Sequence, residues 1–148
     1  MTETIAQMQG KIAVVTGGTQ GLGARIAALF AERGAAGIVI CGRNRAKGEA
    51  KAEEIARVSG AKVIYQQADL ENVEDCRAVI AVADRQFGRI DALVNAAALT
   101  DRGTILDTSP ELFDRMFAAN VRAPFFLMQD AIKLMRRDGI EGTIVNIG

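Results

Sequence analysis

Four glycines near the amino terminus have the spacing of a loop that binds phosphate groups. Gly17, Gly18, Gly21 and Gly23 follow a short apolar run at 12–15 and precede a helical pattern. The first glycine lets the chain leave a strand sharply, the third lets a diphosphate approach the backbone, and the last lets the helix pack closely on the sheet. The helix then directs its unpaired N–H groups and positive dipole end at the anion. This spacing predicts a dinucleotide-binding loop; the alternative is a glycine-rich turn that binds nothing.

A basic residue follows the second predicted strand, where the adenosine ribose of a dinucleotide is expected. An acidic residue at this point would bind the two ribose hydroxyls and repel a 2′-phosphate. Here Gly42 leaves space and Arg43 supplies a planar guanidinium that suits a phosphate. The pattern therefore favours NADP over NAD as the coenzyme, with NAD as the alternative. The other interpretation of Arg43 is a solvated side chain that opens the next helix.

Composition and charge exclude several other classes of function. The 148 residues are 49% apolar, and eighteen basic side chains balance eighteen acidic ones without a long run of either sign. That balance predicts no nucleic-acid or membrane partner and favours a small molecule. Histidine is absent, which excludes a Ser-His-Asp or Cys-His mechanism within these residues, and two cysteines alone predict no metal site. No stretch has the length of a membrane span or a signal peptide, so we expect a cytoplasmic protein.

Apolar runs typical of strands alternate with helical patterns five times along the chain. Such alternation requires crossover connections and therefore a parallel sheet with helices on both faces. We predict an α/β fold, a doubly wound Rossmann-type parallel sheet with strand order 3-2-1-4-5, and ligands at the carboxyl ends of strands 1 and 4. In this prediction residues 1–148 form a single NAD(P)-binding domain, of which residues 1–9 are flexible.

The spacing of apolar residues predicts which face of each helix is buried. In the first helix, the residues at i, i+4, i+7 and i+8 are Leu22, Ile26, Leu29 and Phe30. In the second helix, from about 45 to 58, the predicted inward residues are Ala46, Ala50, Ile55 and Val58. In the third, the apolar stripe consists of Val73, Cys76, Val79, Ile80, Ala83 and Phe87. We expect these faces to pack on the sheet, with both cysteines reduced and buried.

A later helical stretch combines an asparagine with a proline. The helix begins near Pro110, after a hydroxyl cap, and contains both Asn120 and Pro124. Proline has no N–H to donate to the carbonyl four residues earlier, and that carbonyl belongs to Asn120. The freed carbonyl is able to hold a water molecule. The alternative is an ordinary kinked helix in which Asn120 has no chemical role.

The glycine-rich loop, Thr16-Gly17-x-x-x-Gly21-x-Gly23, resembles the coenzyme loop of the short-chain dehydrogenase/reductase family. Three further stretches match that family in the same order: Asp69-Leu70, Asn95-Ala96-Ala97-Ala98, and Asn120. Together these stretches cover the chain from about residue 10 to its end. The resemblance implies an NAD(P)-dependent oxidoreductase that interconverts an alcohol and a carbonyl of a small molecule by hydride transfer.

The resemblance also implies which residues contact the coenzyme. Those of the glycine-rich loop are Gly17, Thr19, Gln20, Gly21, Leu22 and Gly23. Asp69 would hydrogen-bond the adenine amino group, with Leu70 beside the ring; the alternative is an aspartate that only orders its turn. Family members that prefer NADP often carry a basic residue where this chain has Gln20.

Further site residues are expected at the end of strand four and in the late helix. Ala96 and Ala97 have small side chains that let the backbone come close to a ribose, and Asn95 is expected to tie this bend to the region of Thr16. Asn120 matches a family asparagine whose main chain anchors a water molecule in a proton relay. It is the one residue of these 148 assigned to catalysis.

The rest of the family's catalytic set is absent from these residues. In the family a serine closely follows strand five, and a Tyr-x-x-x-Lys pair comes about a dozen residues later. The only tyrosine here, Tyr65, falls in predicted strand three and is expected in the core. We therefore expect the coenzyme-binding part of a longer enzyme, truncated after strand five. The alternatives are a non-catalytic dinucleotide-binding or sensor module and an epimerase-type relative.

The stretch 125–135 is apolar nearly all the way round a helix. One face can pack on the sheet, and the other needs a further cover. Because members of the family commonly pair through this helix, the resemblance implies a homodimer or homotetramer in the complete protein. The alternative cover is a later part of the same chain.

Overall fold

The computed structural model describes residues 7–148 as a five-stranded sheet flanked by helices. In chain order the elements are β1 (Ile12–Thr16), α1 (Gly21–Glu32), β2 (Gly37–Gly42), α2 (Arg45–Ser59), β3 (Lys62–Gln67), α3 (Val73–Phe87), β4 (Ala92–Asn95), α4 (Pro110–Phe117), a π-helical turn (Ala118–Arg122), α5 (Ala123–Asp138) and β5 (Thr143–Asn146). Every neighbouring pair of strands is parallel. The strand order β3-β2-β1-β4-β5 confirms the predicted Rossmann-type α/β fold.

The segment 1–9 was predicted to be flexible, and residues 1–6 of it lie outside the described residues. The remaining three residues form a turn that contacts the first crossover. The Met8 N–H donates to the Arg33 carbonyl at 3.1 Å, and the Met8 side chain packs against the core on the α1 and α2 side of the sheet.

The central strands are buried on both faces, as their continuous apolar runs predict. Alternate residues of β1 belong to two different cores. Val14 packs with residues of α3 and α5, whereas Val15 packs with residues of α1 and α2. Both side chains are fully buried. The carboxyl end of β1, from which the glycine-rich loop departs, is therefore held between two helical layers.

The first helix buries small residues rather than the large ones that its apolar spacing predicts. The buried face of α1 consists of Gly23, Ala24, Ala27 and Ala31. Leu22 is 57% exposed and Leu29 is 37% exposed, so the predicted face was wrong for both. Ile26 and Phe30 are only partly buried. Small side chains let the helix backbone lie close to the sheet, and the larger residues are displaced to its flanks.

The second helix departs from its predicted face for a related reason. Its buried residues are Gly48, Ala52 and Ile55. Of the four predicted inward residues only Ile55 is buried; Ala46, Ala50 and Val58 are exposed. A β-carbon at Gly48 would lie 2.0 Å from the Tyr65 ring, so the ring occupies the space that a side chain would need. The aromatic residue of β3, and not a large residue of α2, fills this interface.

The third helix follows its predicted stripe. Cys76, Val79, Ile80 and Ala83 are buried, and Phe87 is partly buried against the same core. Cys41 is buried as well, and both cysteines are free thiols, as the sequence predicts.

The late helical stretch is interrupted by a π-helical turn and not by a simple kink. Within the turn the Ala123 N–H donates to the Ala118 carbonyl, five residues earlier. Pro124 follows in the first turn of α5, where its missing N–H is tolerated. Asn120 lies in the middle of the π turn. Such turns widen a helix locally and occur frequently at functional sites.

An aspartate joins the amino ends of β1 and β4, at the sheet edge opposite the glycine-rich loop. The Asp91 carboxylate accepts a hydrogen bond from the Ile12 N–H at 2.9 Å and a bidentate pair from Arg89. Lys11 lies 3.8 Å away as a second cation. Although burial opposes its charge, the hydrogen bonds from Arg89 and Ile12 hold the pKa of Asp91 below its ordinary value.

Within residues 7–148, no helix has both the length and the apolar character needed to span a membrane. The same residues contain no cluster of three or more His, Cys, Asp or Glu side chains able to hold a metal ion.

Candidate functional site

A cleft of about 350 Å³ lies at the carboxyl edge of the sheet, above β1, β2 and β4. It is lined by all of the predicted site residues except Asn95 and Asn120. The predicted residues that line it are Gly17, Thr19, Gln20, Gly21, Leu22, Gly23, Arg43, Asp69, Leu70, Ala96 and Ala97. The cleft therefore coincides with the point where the strand order reverses, as the fold class predicts.

The glycine-rich loop closes on itself in a way that only glycine permits. Gly17 has a φ of 65°, and a β-carbon there would lie 2.9 Å from the Ala97 Cα. A β-carbon at Gly23 would lie 2.3 Å from the Gly17 carbonyl oxygen. Gly23 was predicted to let the helix approach the sheet, but the group that approaches it most closely is the loop backbone. The last glycine of the motif therefore lets α1 begin directly behind the turn.

The amino terminus of α1 is open toward the cleft. Gln20 precedes the helix without capping it, and the first turn contains no acidic residue. No side chain of the described residues therefore caps the first N–H groups of α1, and the positive end of the helix dipole is not neutralised. This arrangement suits a diphosphate.

Thr16 connects the first strand to the fourth at the floor of the cleft. Its Oγ1 accepts hydrogen bonds from the N–H groups of Ala96 and Ala97, both at 3.1 Å. Asn95 was expected to make this tie; it pairs with Thr16 in the sheet, but its side chain does not hold the bend. The Asn95 amide instead donates to the Asn146 side chain on β5 at 2.8 Å, and its own buried oxygen has no partner among the described residues. The threonine fixes the bend whose small residues face the cleft.

Two side chains of β3 hold the segment that carries Arg43. The Tyr65 hydroxyl donates to the Gly42 carbonyl at 2.6 Å, and the Gln67 amide donates to the Arg43 carbonyl at 3.0 Å. Tyr65 was predicted to lie in the core: its ring packs against the core on the α1 and α2 side but is only partly buried, and its hydroxyl bonds to Gly42, which lines the cleft. The Arg43 side chain is exposed and makes no hydrogen bond within the described residues, so its guanidinium is available to a ligand.

Asp69 orders its turn and also lines the cleft. Its Oδ1 accepts from the Glu71 N–H at 3.0 Å, which orders the turn after β3. Its other oxygen has no hydrogen-bond partner within residues 7–148, and the side chain lines the cleft. Glu71 in turn receives the Arg115 guanidinium at 2.7 Å, which fastens this turn to α4. An acceptor therefore faces the cleft from a fixed backbone.

Asn120 is exposed and is not among the residues that line the cleft. Its side-chain oxygen accepts from the Leu99 N–H and its amide donates to the Leu99 carbonyl, both at 2.8 Å. Leu99 and Ala119 line the cleft, so this pair of bonds positions the start of the loop that follows β4. The side chain therefore has a positioning role that the freed carbonyl alone does not predict.

A family model described as short chain dehydrogenase matches residues 11–148. The chain belongs to the short-chain dehydrogenase family. This match confirms the resemblance carried by the glycine-rich loop and the three later stretches.

Individual short-chain dehydrogenases agree with this assignment. Versicolorin reductase 1 from Aspergillus parasiticus is 36% identical over 133 residues, which are 90% of this chain and 50% of that relative. L-sorbose reductase from Gluconobacter frateurii, solved in complex with NADPH and L-sorbose, has a TM-score of 0.91 at 30% identity, covering 96% of this chain and 53% of that one. A short-chain dehydrogenase from Sphingobium yanoikuyae, in complex with NADPH, has a TM-score of 0.83 at 30% identity, covering 93% of this chain and 53% of that one. The chain spans about half the length of the curated relatives it matches.

The two thiols of this short-chain dehydrogenase are buried and have raised pKa values. Burial raises the pKa of Cys41, which lines the floor of the cleft, to about 12, and raises the pKa of Cys76 to about 11. Both thiols are therefore protonated at neutral pH and are poor nucleophiles.

Proposed function

We propose that this chain binds NADP(H) in the cleft and that the complete protein interconverts an alcohol and a carbonyl of a small molecule by hydride transfer. The observation that carries the proposal is the cleft itself. An uncapped helix terminus, a loop that excludes side chains and an exposed arginine lie together at the switch point of the sheet. The NADPH complexes of two similar family members support the same choice of coenzyme.

Each part of the cleft suits one part of the coenzyme. The first turn of α1 would bind the diphosphate through backbone N–H groups, and Arg43 would bind the 2′-phosphate. The free oxygen of Asp69 would accept from the adenine amino group, with Leu70 against the ring. Ala96 and Ala97 would let the backbone approach a ribose. Bound in this way, the coenzyme supplies or accepts the hydride.

The proton chemistry rests mostly outside these residues in the proposal. Among residues 1–148 only Asn120 belongs to the proposed relay, in which its main chain anchors a water molecule. The serine and the Tyr-x-x-x-Lys pair implied by the family do not occur in this sequence. We therefore regard residues 1–148 as the coenzyme-binding domain of a longer short-chain dehydrogenase. The cytoplasmic location of the protein stays a prediction.

The test measures coenzyme binding and turnover separately in the complete protein. NADPH binding together with NADPH oxidation in the presence of a carbonyl panel is the expected result. Binding without turnover on any carbonyl or alcohol would favour the sensor module. Interconversion of epimers without net coenzyme consumption would favour the epimerase-type relative. Failure to bind either NADPH or NADH would contradict the proposal.

Residues 1–148 alone provide the matched comparison. They should bind coenzyme weakly and show no turnover, because losing a positioned acid-base group typically costs a factor of about 10² to 10⁴ in rate. If residues 1–148 turn over substrate at the rate of the complete protein, the acid-base group lies within them and our assignment is wrong.

A second copy of the chain is the proposed partner. The helix predicted to be apolar all round buries Leu127, Ala131 and Met135 but leaves Phe125 56% exposed and Ile132 43% exposed. The exposed apolar surface continues along α4 and the π turn through Phe113, Phe117 and Val121. A continuous patch of this kind favours a subunit contact, and hence a homodimer or homotetramer.

A further inference from the structure

We propose that Lys47 is a second cation of the 2′-phosphate site, presented to the cleft by Gln20, and that the preference for NADP depends on it as well as on Arg43. This inference rests on the proposed coenzyme. It assigns coenzyme binding to a residue outside the glycine-rich loop and the end of β2. Lys47 belongs to α2, and its assignment follows from contacts across the interface between α1 and α2.

The backbone of Lys47 is fixed at the start of α2. The Asn44 side chain caps the helix and accepts a hydrogen bond from the Lys47 N–H at 3.0 Å. From this position the Lys47 ammonium reaches the loop and donates a hydrogen bond to Gln20 Oε1. Gln20 lines the coenzyme cleft and also the groove between α1 and α2, which Lys47 lines too. The ammonium therefore lies at the border between the groove and the cleft.

The loop and the end of β2 are in direct contact at this border. A β-carbon at Gly42 would lie 2.9 Å from the Thr19 side chain, so the loop residue before Gln20 packs against the residue before Arg43. Lys47 extends to this rim from α2, and Arg43 lies at the rim directly after β2. A phosphate seated at the rim would therefore meet a cation from each side.

Lys47, like Arg43, makes no ion pair with a carboxylate of residues 7–148, in contrast to three other cations near the groove. Around the groove, Lys51 pairs with Glu54 at 2.7 Å, Arg25 pairs with Glu32 at 3.1 Å, and Arg45 pairs with Glu49 at 3.5 Å. No carboxylate of residues 7–148 lies within ion-pair distance of Lys47, whose hydrogen bond is to a neutral amide. Within these residues, its positive charge is therefore not neutralised by a carboxylate.

The contact with Gln20 also determines which end of its amide is engaged. An ammonium only donates hydrogen bonds, so it must face the oxygen of the amide and not its nitrogen. The NH₂ group of Gln20 is then left for another partner, and no described residue accepts from it. Lys47 and the Gln20 amide nitrogen together present hydrogen-bond donors. That combination suits a phosphate dianion and offers little to the free 2′-hydroxyl of NAD.

The experiment compares Lys47→Met with Lys51→Met in the complete protein. Lys51 lies one turn further along the same helix and is paired with Glu54, so its loss controls for a general change of charge. We measure dissociation constants for NADPH, NADH, 2′,5′-ADP and 5′-ADP. Lys47→Met should weaken NADPH and 2′,5′-ADP about three- to tenfold while NADH and 5′-ADP are unchanged. Lys51→Met should change none of them, and Lys47→Arg should retain the discrimination.

Two results would overturn the inference while leaving the proposed coenzyme intact. An equal loss for NADPH and NADH in Lys47→Met would mean that Lys47 only supports the loop through Gln20. No loss for either ligand, in a protein where Arg43→Ala still weakens NADPH, would mean that Arg43 acts alone. If the wild-type protein binds NADPH no more tightly than NADH, the NADP preference and the role of Lys47 fail together. Unchanged NADH binding in each variant shows that the fold is intact.

Discussion

At the scale of single residues, the first prediction concerns Arg43, the arginine at the end of β2. Arg43→Ala should weaken NADPH binding about tenfold to a hundredfold, because a charge-assisted hydrogen bond to the 2′-phosphate is worth about 1.5 to 3 kcal/mol. NADH binding should not change. Arg57, exposed in the last turn of α2, provides the matched control as Arg57→Ala. Equal NADPH and NADH affinities in the wild-type protein would contradict the role given to Arg43.

Thr16 is the residue whose loss should damage both the sheet and the cleft. Thr16→Val removes the oxygen that accepts from two N–H groups and leaves them without that partner at a site where the threonine is 1% exposed. We expect the free energy of unfolding to fall by about 1 to 3 kcal/mol. Thr16→Ser retains the hydroxyl and should lose much less. Urea denaturation measures the difference; equal stabilities of the two variants would show that the bend does not depend on this oxygen.

The residues that line the cleft were largely predictable, whereas the bonds that fix them were not. Glycine spacing and the end of β2 identified the loop and Arg43 because both signals are local in sequence. Thr16 and Ala96 are 80 residues apart, and Asn95 and Asn146 are 51 apart. No local pattern distinguishes these pairs from other polar residues at strand ends. The register of the parallel strands decides them, and it exists only once the sheet has formed.

At the scale of elements, the π turn and the loop after β4 act together. Asn120→Ala removes both hydrogen bonds to Leu99, and we expect the Leu99 amide to exchange with solvent about three- to tenfold faster. Asn120→Asp retains the acceptor for that amide and should preserve part of the protection. Hydrogen exchange read by NMR tests the prediction at one amide. Unchanged exchange in Asn120→Ala would mean that the π turn holds the loop without this side chain.

The aspartate at the amino ends of β1 and β4 makes stability depend on pH. Because the folded-state pKa of Asp91 lies below its ordinary value of 3.8, its contribution is present above that value and is lost as pH falls through the folded pKa. Asp91→Asn should therefore cost about 1 to 3 kcal/mol near neutral pH and progressively less in acid. Urea denaturation of both proteins across this range measures the difference. A cost that stays constant down to about pH 2 would assign it to packing and not to charge.

The helix faces show where reading by apolar spacing succeeds and where it fails. It succeeds for α3, whose stripe of Cys76, Val79 and Ile80 is buried. It fails for α1 and α2, where backbone approach to the sheet favours Gly23 and Gly48 over larger residues. Hydrophobicity scales give glycine and alanine little weight. These two residues nevertheless form the contact wherever a helix lies very close to a sheet.

At the scale of the whole molecule, both sides of the sheet contribute residues to its carboxyl edge. On one side, Gln20 and Arg43 next to α1 and α2 line the cleft, and on the other, the π turn between α4 and α5 holds the loop that follows β4 through Asn120. The cleft at the carboxyl edge of the sheet is lined by residues from both of these regions. A coenzyme bound there would contact both crossover layers, and its binding should therefore stabilise the sheet as a unit.

The last prediction concerns the apolar surface on the outer side of α4 and α5 and its effect on the oligomeric state. Phe113 and Phe117 stack with ring centroids 4.5 Å apart, and both rings are half-exposed. We expect Phe117→Asp in the complete protein to shift the species measured by light scattering at micromolar concentration toward the monomer, because a buried unpaired charge disfavours an apolar interface. Val58→Asp is the matched control, since Val58 is 74% exposed on the distant helix α2. A wild-type protein that is already monomeric would mean that this surface makes no subunit contact. A Phe117→Asp variant that associates as before would mean that the subunits meet elsewhere.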